Sequence, residues 1–356
     1  MPKRINYSEV IEQHLKILSS LRTPTGLFRA AAVHVDTGYD KAWLRDNFYE
    51  CLAYLDLQKW SIVIQTYNAL LEIFLKHEYK IDHAIANKPD AQFKYIHARY
   101  HPDNFSEFWD EWGNKQNDAV GAILYMIGEL EITHKQRILD TEDKKRIVQK
   151  LINYLQTLEY WHDSDNGVWE AEEEVHASSV GACLAGLKSI SRLEYLIVNQ
   201  ELIVKGEEKL NDLLPRESIH KFVDLALLSL IYPYNVVSKE QERQILENVE
   251  YHLVREKGVI RYKNDYYYNK NQDGFSEEAE WCFGLSWLAL IYSKLSEKDK
   301  AERYMKMAFN TINAKGEIPE LYFSNSDEYN GNSPLGWAES LFIVALYEYQ
   351  KKSFKL

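Results

Sequence analysis

Apolar residues recur at spacings of three and four along almost the whole chain, and strict apolar–polar alternation scarcely occurs. That period is the signature of amphipathic helices, and it predicts about twelve of them. They fall near 7–22, 41–56, 58–78, 114–132, 142–160, 174–193, 197–213, 217–232, 238–255, 277–294, 297–314 and 332–352. Carboxylates in the first turn mark several starts: Thr141 precedes Glu142 and Asp143, Ser238 precedes Glu240 and Glu242, and Ser296 precedes Glu297 and Asp299. With 15 Gly and 8 Pro in 356 residues, the chain lacks the turns an all-β fold of this length would need. An all-α fold is predicted. Twelve helices pack either as an open solenoid or as two concentric rings of six. A solenoid would carry a repeat of roughly 34 to 47 residues, and none is present, so the closed double ring remains. No Gly/Ser linker or shift in composition divides residues 1–356, and a single domain is expected. The longest connection, about 79 to 113, is dense in aromatics and acids, the mark of a functional loop rather than a disordered one.

Charge excludes some partners. The chain has 42 basic against 54 acidic side chains, and a net charge of −12 disfavours nucleic acid and anionic membrane as ligands. No apolar run approaches the roughly 18 residues of a membrane span, and the polar first residues do not resemble a signal peptide. Cys51, Cys183 and Cys282 are far apart in apolar helical stretches, as expected of reduced core thiols in a cytoplasmic protein. His97 and His101 have the spacing of a metal pair but no third ligand nearby, so no metal or cofactor is expected.

The unusual residues collect at particular places on the helix count. Trp43, Arg45 and Asp46 open the second helix, and Trp112, Gln116 and Asp118 open the fourth. Trp169 and Glu170 lie just before the sixth, Glu280 and Trp281 near the start of the tenth, and Glu320 and Tyr322 lead into the twelfth. All precede or begin an even-numbered helix. In a double ring the even helices run parallel, which gathers these groups at one mouth. Tryptophans, carboxylates and an arginine gathered at one mouth suit a polyhydroxylated ligand. Plainer readings exist for each alone: Arg45 and Asp46 as a surface ion pair, and Glu170 with 172–174 as an acidic first turn answering a helix dipole.

Taken together, the stretches AWLRDNFY, IHARYH, WGNKQNDA, VWE…EVHASSVGACLAGL, DLALLSLIYP, GVIRY and IPELY…SPLGWAESLFIVAL resemble glycoside hydrolase family 15, the glucoamylase family. They resemble still more closely the glucoamylase-like domains of phosphorylase kinase α and β subunits. The resemblance runs from about Phe28 to Leu346 and implies an (α/α)6 barrel. It makes Glu170 the general acid, Glu320 the general base, Arg45 and Asp46 the grip on the non-reducing sugar, Arg261 a substrate contact and Trp112 a pocket wall. It implies an inverting, exo-acting hydrolase releasing glucose from small α-glucosides or oligosaccharides. The alternative it implies is a non-catalytic sugar-binding or regulatory module like the kinase domain. Apolar surroundings beside Trp169 would favour a protonated Glu170. Where glucoamylases carry a second glutamate after the acid, this chain has Ala171, with Glu172 one place later.

Overall fold

A computed structural model describes residues 6–352, save 34, 36, 111 and 270–276. Among these residues there are thirteen α-helices: α1 (Tyr7–Ser20), α2 (Leu44–Asp56), α3 (Trp60–Lys76), α4 (Glu78–Ala86), α5 (Asn117–Gly128), α6 (Glu142–Leu158), α7 (Ala177–Ile190), α8 (Gln200–Leu213), α9 (Leu228–Ile231), α10 (Lys239–His252), α11 (Cys282–Leu295), α12 (Lys298–Phe309) and α13 (Gly336–Lys351). They form two rings. The inner ring closes in the order α2, α5, α7, α9, α11, α13 and back to α2, each packing on the next. Helices α3, α6, α8, α10, α12 and α1 lie outside as their partners. Burial follows the rings. Along α7 every residue but Lys188 is buried, and α11 is buried from Cys282 to Ser293. Outer α6 buries only one stripe, including Ile147, Leu151, Leu155 and Leu158. A helix apolar all round belongs inside, and an amphipathic one belongs at the surface.

Glycine sets the closest approach within the inner ring. A Cβ on Gly121 of α5 would lie 2.4 Å from the Cys183 nitrogen of α7, and one on Gly186 would lie 2.4 Å from the Gly121 carbonyl. No larger residue fits at this crossing without moving backbone.

Three expectations are corrected. The predicted helix 217–232 is reduced to a 3-10 turn, Leu225–Leu227, and the single turn α9. The residues before it are committed elsewhere: Glu217 accepts from the Ser178 N–H and hydroxyl at the start of α7, and Asp224 caps the Ala226 N–H at 2.8 Å. Pro233 then stops the helix. In the long connection, α4 forms instead of pure loop, burying Ile81 and Ala84. Finally, Ser296 does not cap a helix; it ends α11 with φ +62°. Ser238 does start α10 with a full capping box to Gln241, and Thr141 caps Lys144.

Apart from α9, the inner helices begin three to five residues later than their apolar pattern suggests. Before α2 and α11 the intervening residues form short antiparallel ladders at the mouth: β1 (Ala42–Trp43) on β2 (Arg99–Tyr100), and β3 (Glu280–Trp281) on β4 (Leu321–Tyr322). Two-residue strands carry no readable alternation, yet they fix the segments that hold the site. No described helix is long and apolar enough to cross a membrane.

Candidate active site

A small cavity opens where these segments meet. Its lining includes Arg45, Asp46, Glu170, Arg261, Glu320 and the indoles of Trp43, Trp169, Trp281 and Trp337. Beneath it Trp337 stacks on Phe283 (centroids 4.7 Å apart) and on Tyr49 (4.1 Å), and Tyr49 meets Trp287. The barrel axis is therefore filled with aromatic rings, and the cavity is blind.

Glu170 sits at a turn with φ +57°, in the left-handed region that residues with a side chain adopt infrequently. The turn belongs to a hairpin-like loop pinned by the Asp165–Glu174 bridge and by the Ala171 N–H donating to the Asn166 carbonyl. One carboxyl oxygen, Oε1, accepts from Trp43 Nε1 (2.7 Å), Gln116 Nε2 (2.8 Å) and Arg45 Nη2 (3.2 Å). The other, Oε2, accepts from Trp112 Nε1 at 2.6 Å. The expected apolar surroundings are thus replaced by four N–H donors. Trp169 turns away and donates to Asp224 at 2.7 Å, stacking its ring towards Phe283 and Trp337. Under the loop, His176 lies buried between Glu217 and Asp165. Burial would lower its pKa, but the hydrogen bond to Glu217 and the nearby Asp165 push it up to about 9.

Glu320 is built differently. Its main chain is held by the Asn332 carbonyl and by the Cys282 N–H at the start of α11. Oε2 accepts from the side-chain amides of Asn330 (2.5 Å) and Asn332 (2.7 Å). Burial raises its pKa above the ordinary carboxylate range; the two amides, Tyr39 and Arg261 pull the other way.

Arg45 and Asp46 do not pair with each other as expected. Arg45 reaches Gln116 (2.8 Å), Asp118 (3.2 Å) and Glu170, so Gln116 and Asp118 stand behind the arginine rather than on the cavity wall. Burial opposes the Arg45 charge, but Asp118, Glu170 and Asp46 hold the guanidinium protonated. Among the described residues the Asp46 carboxyl takes no hydrogen bond from another side chain, only one from its own main-chain N–H. Burial pushes its pKa to about 7, against Arg45 and with Glu170 and Glu320. Arg261 is clamped by Asp265 through two bonds of 2.6 and 2.7 Å and lies over the Trp281 and Tyr267 rings.

Three more predicted residues lie off the cavity wall: Trp112, which borders an adjoining groove, Glu280 and Tyr322. Glu280 accepts the Lys257 N–H at 2.6 Å, and Tyr322 donates to the Thr311 carbonyl; both serve the local backbone. Sequence reasoning missed Tyr39, Asp265, Phe283 and Trp337. Trp337 begins α13 just as Trp43 and Trp281 border α2 and α11, so the placement rule could have found it. Nothing in the sequence marks Tyr39. Two N–H groups, Trp281 Nε1 and Trp337 Nε1, are buried without partners among the described residues. Leaving such donors unmade is costly unless a ligand meets them. Among the described residues no cluster of three potential ligands could hold a metal ion, and the three cysteines are buried and free. His97 is buried while His101 is half exposed.

The cavity is thus blind and tryptophan-lined, stands at the N-terminal mouth of an (α/α)6 barrel, and carries three carboxyls on its wall, those of Asp46, Glu170 and Glu320. The model of the glycosyl hydrolases family 15 matches residues 8–279, and the chain belongs to that family. It is 25% identical over 381 residues to a probable phosphorylase b kinase regulatory subunit alpha of Caenorhabditis elegans, covering 87% of this chain and 30% of that one. An uncharacterized glycosyl hydrolase of Methanocaldococcus jannaschii is also 25% identical, covering 92% and 53%. The chain thus spans about a third to a half of these relatives' lengths. Among solved structures, a wild-type glycosidase superposes with a TM-score of 0.82 at 16% identity, covering 97% of both chains. The glucoamylase of Saccharomycopsis fibuligera superposes with 0.73 at 15%, covering 98% of this chain and 96% of that one.

Proposed function

We propose that the chain is one catalytic unit, an inverting exo-acting α-glucoside hydrolase that releases glucose from small α-glucosides or oligosaccharides. The observation that carries this reading is the pairing of Glu170 and Glu320 on one blind cavity, in unlike environments. Inverting glycosidases use one carboxyl as acid and the other as base, separated by room for a water. Glu320 takes a proton from the water that attacks the anomeric carbon; its raised pKa brings its basicity closer to the task. Glu170 gives a proton to the departing oxygen. With three donors on Oε1, the oxygen free to carry that proton is Oε2, which faces the single Trp112 indole. Asp46, whose carboxyl is held by no other side chain, takes sugar hydroxyls, as do the unpartnered indole N–H groups of Trp281 and Trp337. Trp169, Phe283 and Trp337 present apolar faces for the ring. The blind floor supports exo action, because only a chain end can enter.

A second reading, a sugar-binding regulatory module, is favoured by the phosphorylase b kinase relative and by the three donors already on Oε1 of Glu170. Incubation with maltose, isomaltose, trehalose and longer glucans separates the two. Glucose release from any of them supports hydrolysis; binding without release from all of them supports the module.

A further inference from the structure

Two titratable side chains with no part in the proposed chemistry meet where outer helix α1 packs on inner helix α13. His14 of α1 is 1% exposed, and Glu339, in the first turn of α13, is not exposed at all. His14 Nδ1 lies 2.6 Å from Glu339 Oε2, and the imidazole rests against Phe342 with ring centroids 4.7 Å apart. The other carboxyl oxygen, Oε1, accepts the Ile318 N–H at 2.7 Å. Ile318 stands two residues before Glu320, and Pro319 between them has no N–H to offer. The Ile318 carbonyl in turn accepts the Leu335 N–H at 3.0 Å. Both polar groups of Ile318 are therefore tied to the start of α13.

Stability alone is a poor reason to bury such a pair. A desolvated carboxylate and its partner return little net free energy, and apolar side chains of similar volume often do as well. What the carboxylate offers is direction, with one oxygen on His14 and the other on the chain that leads to Glu320. Downstream, the Glu320 main chain is fixed by the Asn332 carbonyl and the Cys282 N–H. Upstream, the chain passes through Ile318, whose N–H has Glu339 as its acceptor. We propose that Glu339, oriented by His14, is a positioning residue: it fixes the 317–320 segment so that the Glu320 carboxyl faces the attacking water. This rests on the hydrolase reading and adds to it a residue off the cavity wall that sets kcat.

The test compares Glu339→Gln with the double variant His14→Leu/Glu339→Leu. Glutamine keeps both bonds, its amide oxygen accepting from Ile318 and its NH₂ donating to His14 Nδ1. The double variant exchanges both partners for apolar groups, so it should fold while leaving the Ile318 N–H without its acceptor. Rates are measured on maltose, isomaltose, trehalose and glucosyl fluoride, well below each melting temperature. The double variant should lose about 10–10²-fold in kcat, the scale of a displacement of about 1 Å. The loss should be as large on the fluoride as on the disaccharides, with KM unchanged, and Glu339→Gln should turn over like the wild type. A folded double variant with wild-type kcat, or a glutamine variant as impaired as the double one, overturns the positioning role and leaves hydrolysis standing. Should the double variant fail to fold, His14→Ala carries the same comparison: a lower kcat at unchanged KM supports the role, and a wild-type kcat overturns it. If the wild type hydrolyses none of these substrates, the hydrolase reading fails instead, and amide hydrogen exchange decides the assignment. Faster exchange over 317–323 in the double variant, with the 164–174 loop unchanged, supports it; wild-type exchange over 317–323 overturns it.

Discussion

Glu170 stands at the tip of a left-handed turn under four N–H donors, whereas Glu320 is fixed between main-chain partners and buried under two side-chain amides. The first lies on a loop that other groups must hold down: Trp169 by Asp224, the loop ends by a bridge, and its underside by His176. The second lies beside a ladder that the barrel holds directly. Two carboxyls of the same residue type thus stand in unlike surroundings, as the proposed division into base and acid requires. A base gains from a rigid, desolvated seat, and an acid that must reprotonate gains from contact with the mouth.

The largest effect should come from removing the proposed base. Glu320→Gln keeps shape and amide contacts yet cannot accept a proton, and hydrolysis should fall by about 10²–10⁴-fold or more on every substrate. Glu170→Gln should lose a similar factor on substrates with poor leaving groups. Glucosyl fluoride, which needs little acid help, should be partly spared, and only in this variant. Steady-state rates on both substrate types make the comparison; identical responses of the two variants would erase the distinction between the sites.

Asp46→Asn separates grip from fold. A buried carboxyl with its pKa raised to about 7 favours the folded state when protonated. Its contribution is therefore present below the unfolded value near 4 and is lost as pH rises through about 7. The amide removes that loss, so the variant's melting temperature at pH 8 should equal or exceed the wild type's while turnover drops by about 10²-fold. A variant that unfolds instead would make Asp46 a structural residue.

Smaller effects concern pH. Asn330 and Asn332 hold Glu320 down against burial. Asn330→Ala should therefore move the acidic limb of kcat/KM to higher pH, with the alkaline limb unmoved. At the other end, His176 has a pKa raised to about 9. Its stabilisation is complete below the unfolded value near 6.5 and is lost as pH rises through about 9. Melting curves of His176→Gln should converge on the wild type above that pH and fall below it near pH 6.

The helical period gave the approximate number of helices and, with no repeat present, the double ring; which helices lie inside is read from burial in the structure, nearly complete along α7 and α11 and limited to one stripe on α6. The mouth was legible from the same helix count: Trp43, Arg45, Asp46, Trp169, Glu170, Trp281 and Glu320 stand just before or within the first turn of an inner helix or on the segment leading into it. Partnerships were not legible. Arg45 neighbours Asp46 in sequence but reaches Asp118 in space, and Glu280 neighbours Trp281 but turns to the Lys257 backbone. Strands of two residues leave no period to detect, and the shortened helix before Pro233 kept a helical pattern while its residues served α7 and Trp169 instead.

The central claim is that water held by Glu320 attacks from the face opposite the leaving group that Glu170 protonates. Proton NMR of the first glucose released, recorded before mutarotation, tests it directly. The account predicts β-glucose appearing first and the α anomer growing in only as the two equilibrate. Release of α-glucose first, or a mixture from the earliest spectrum, would contradict it.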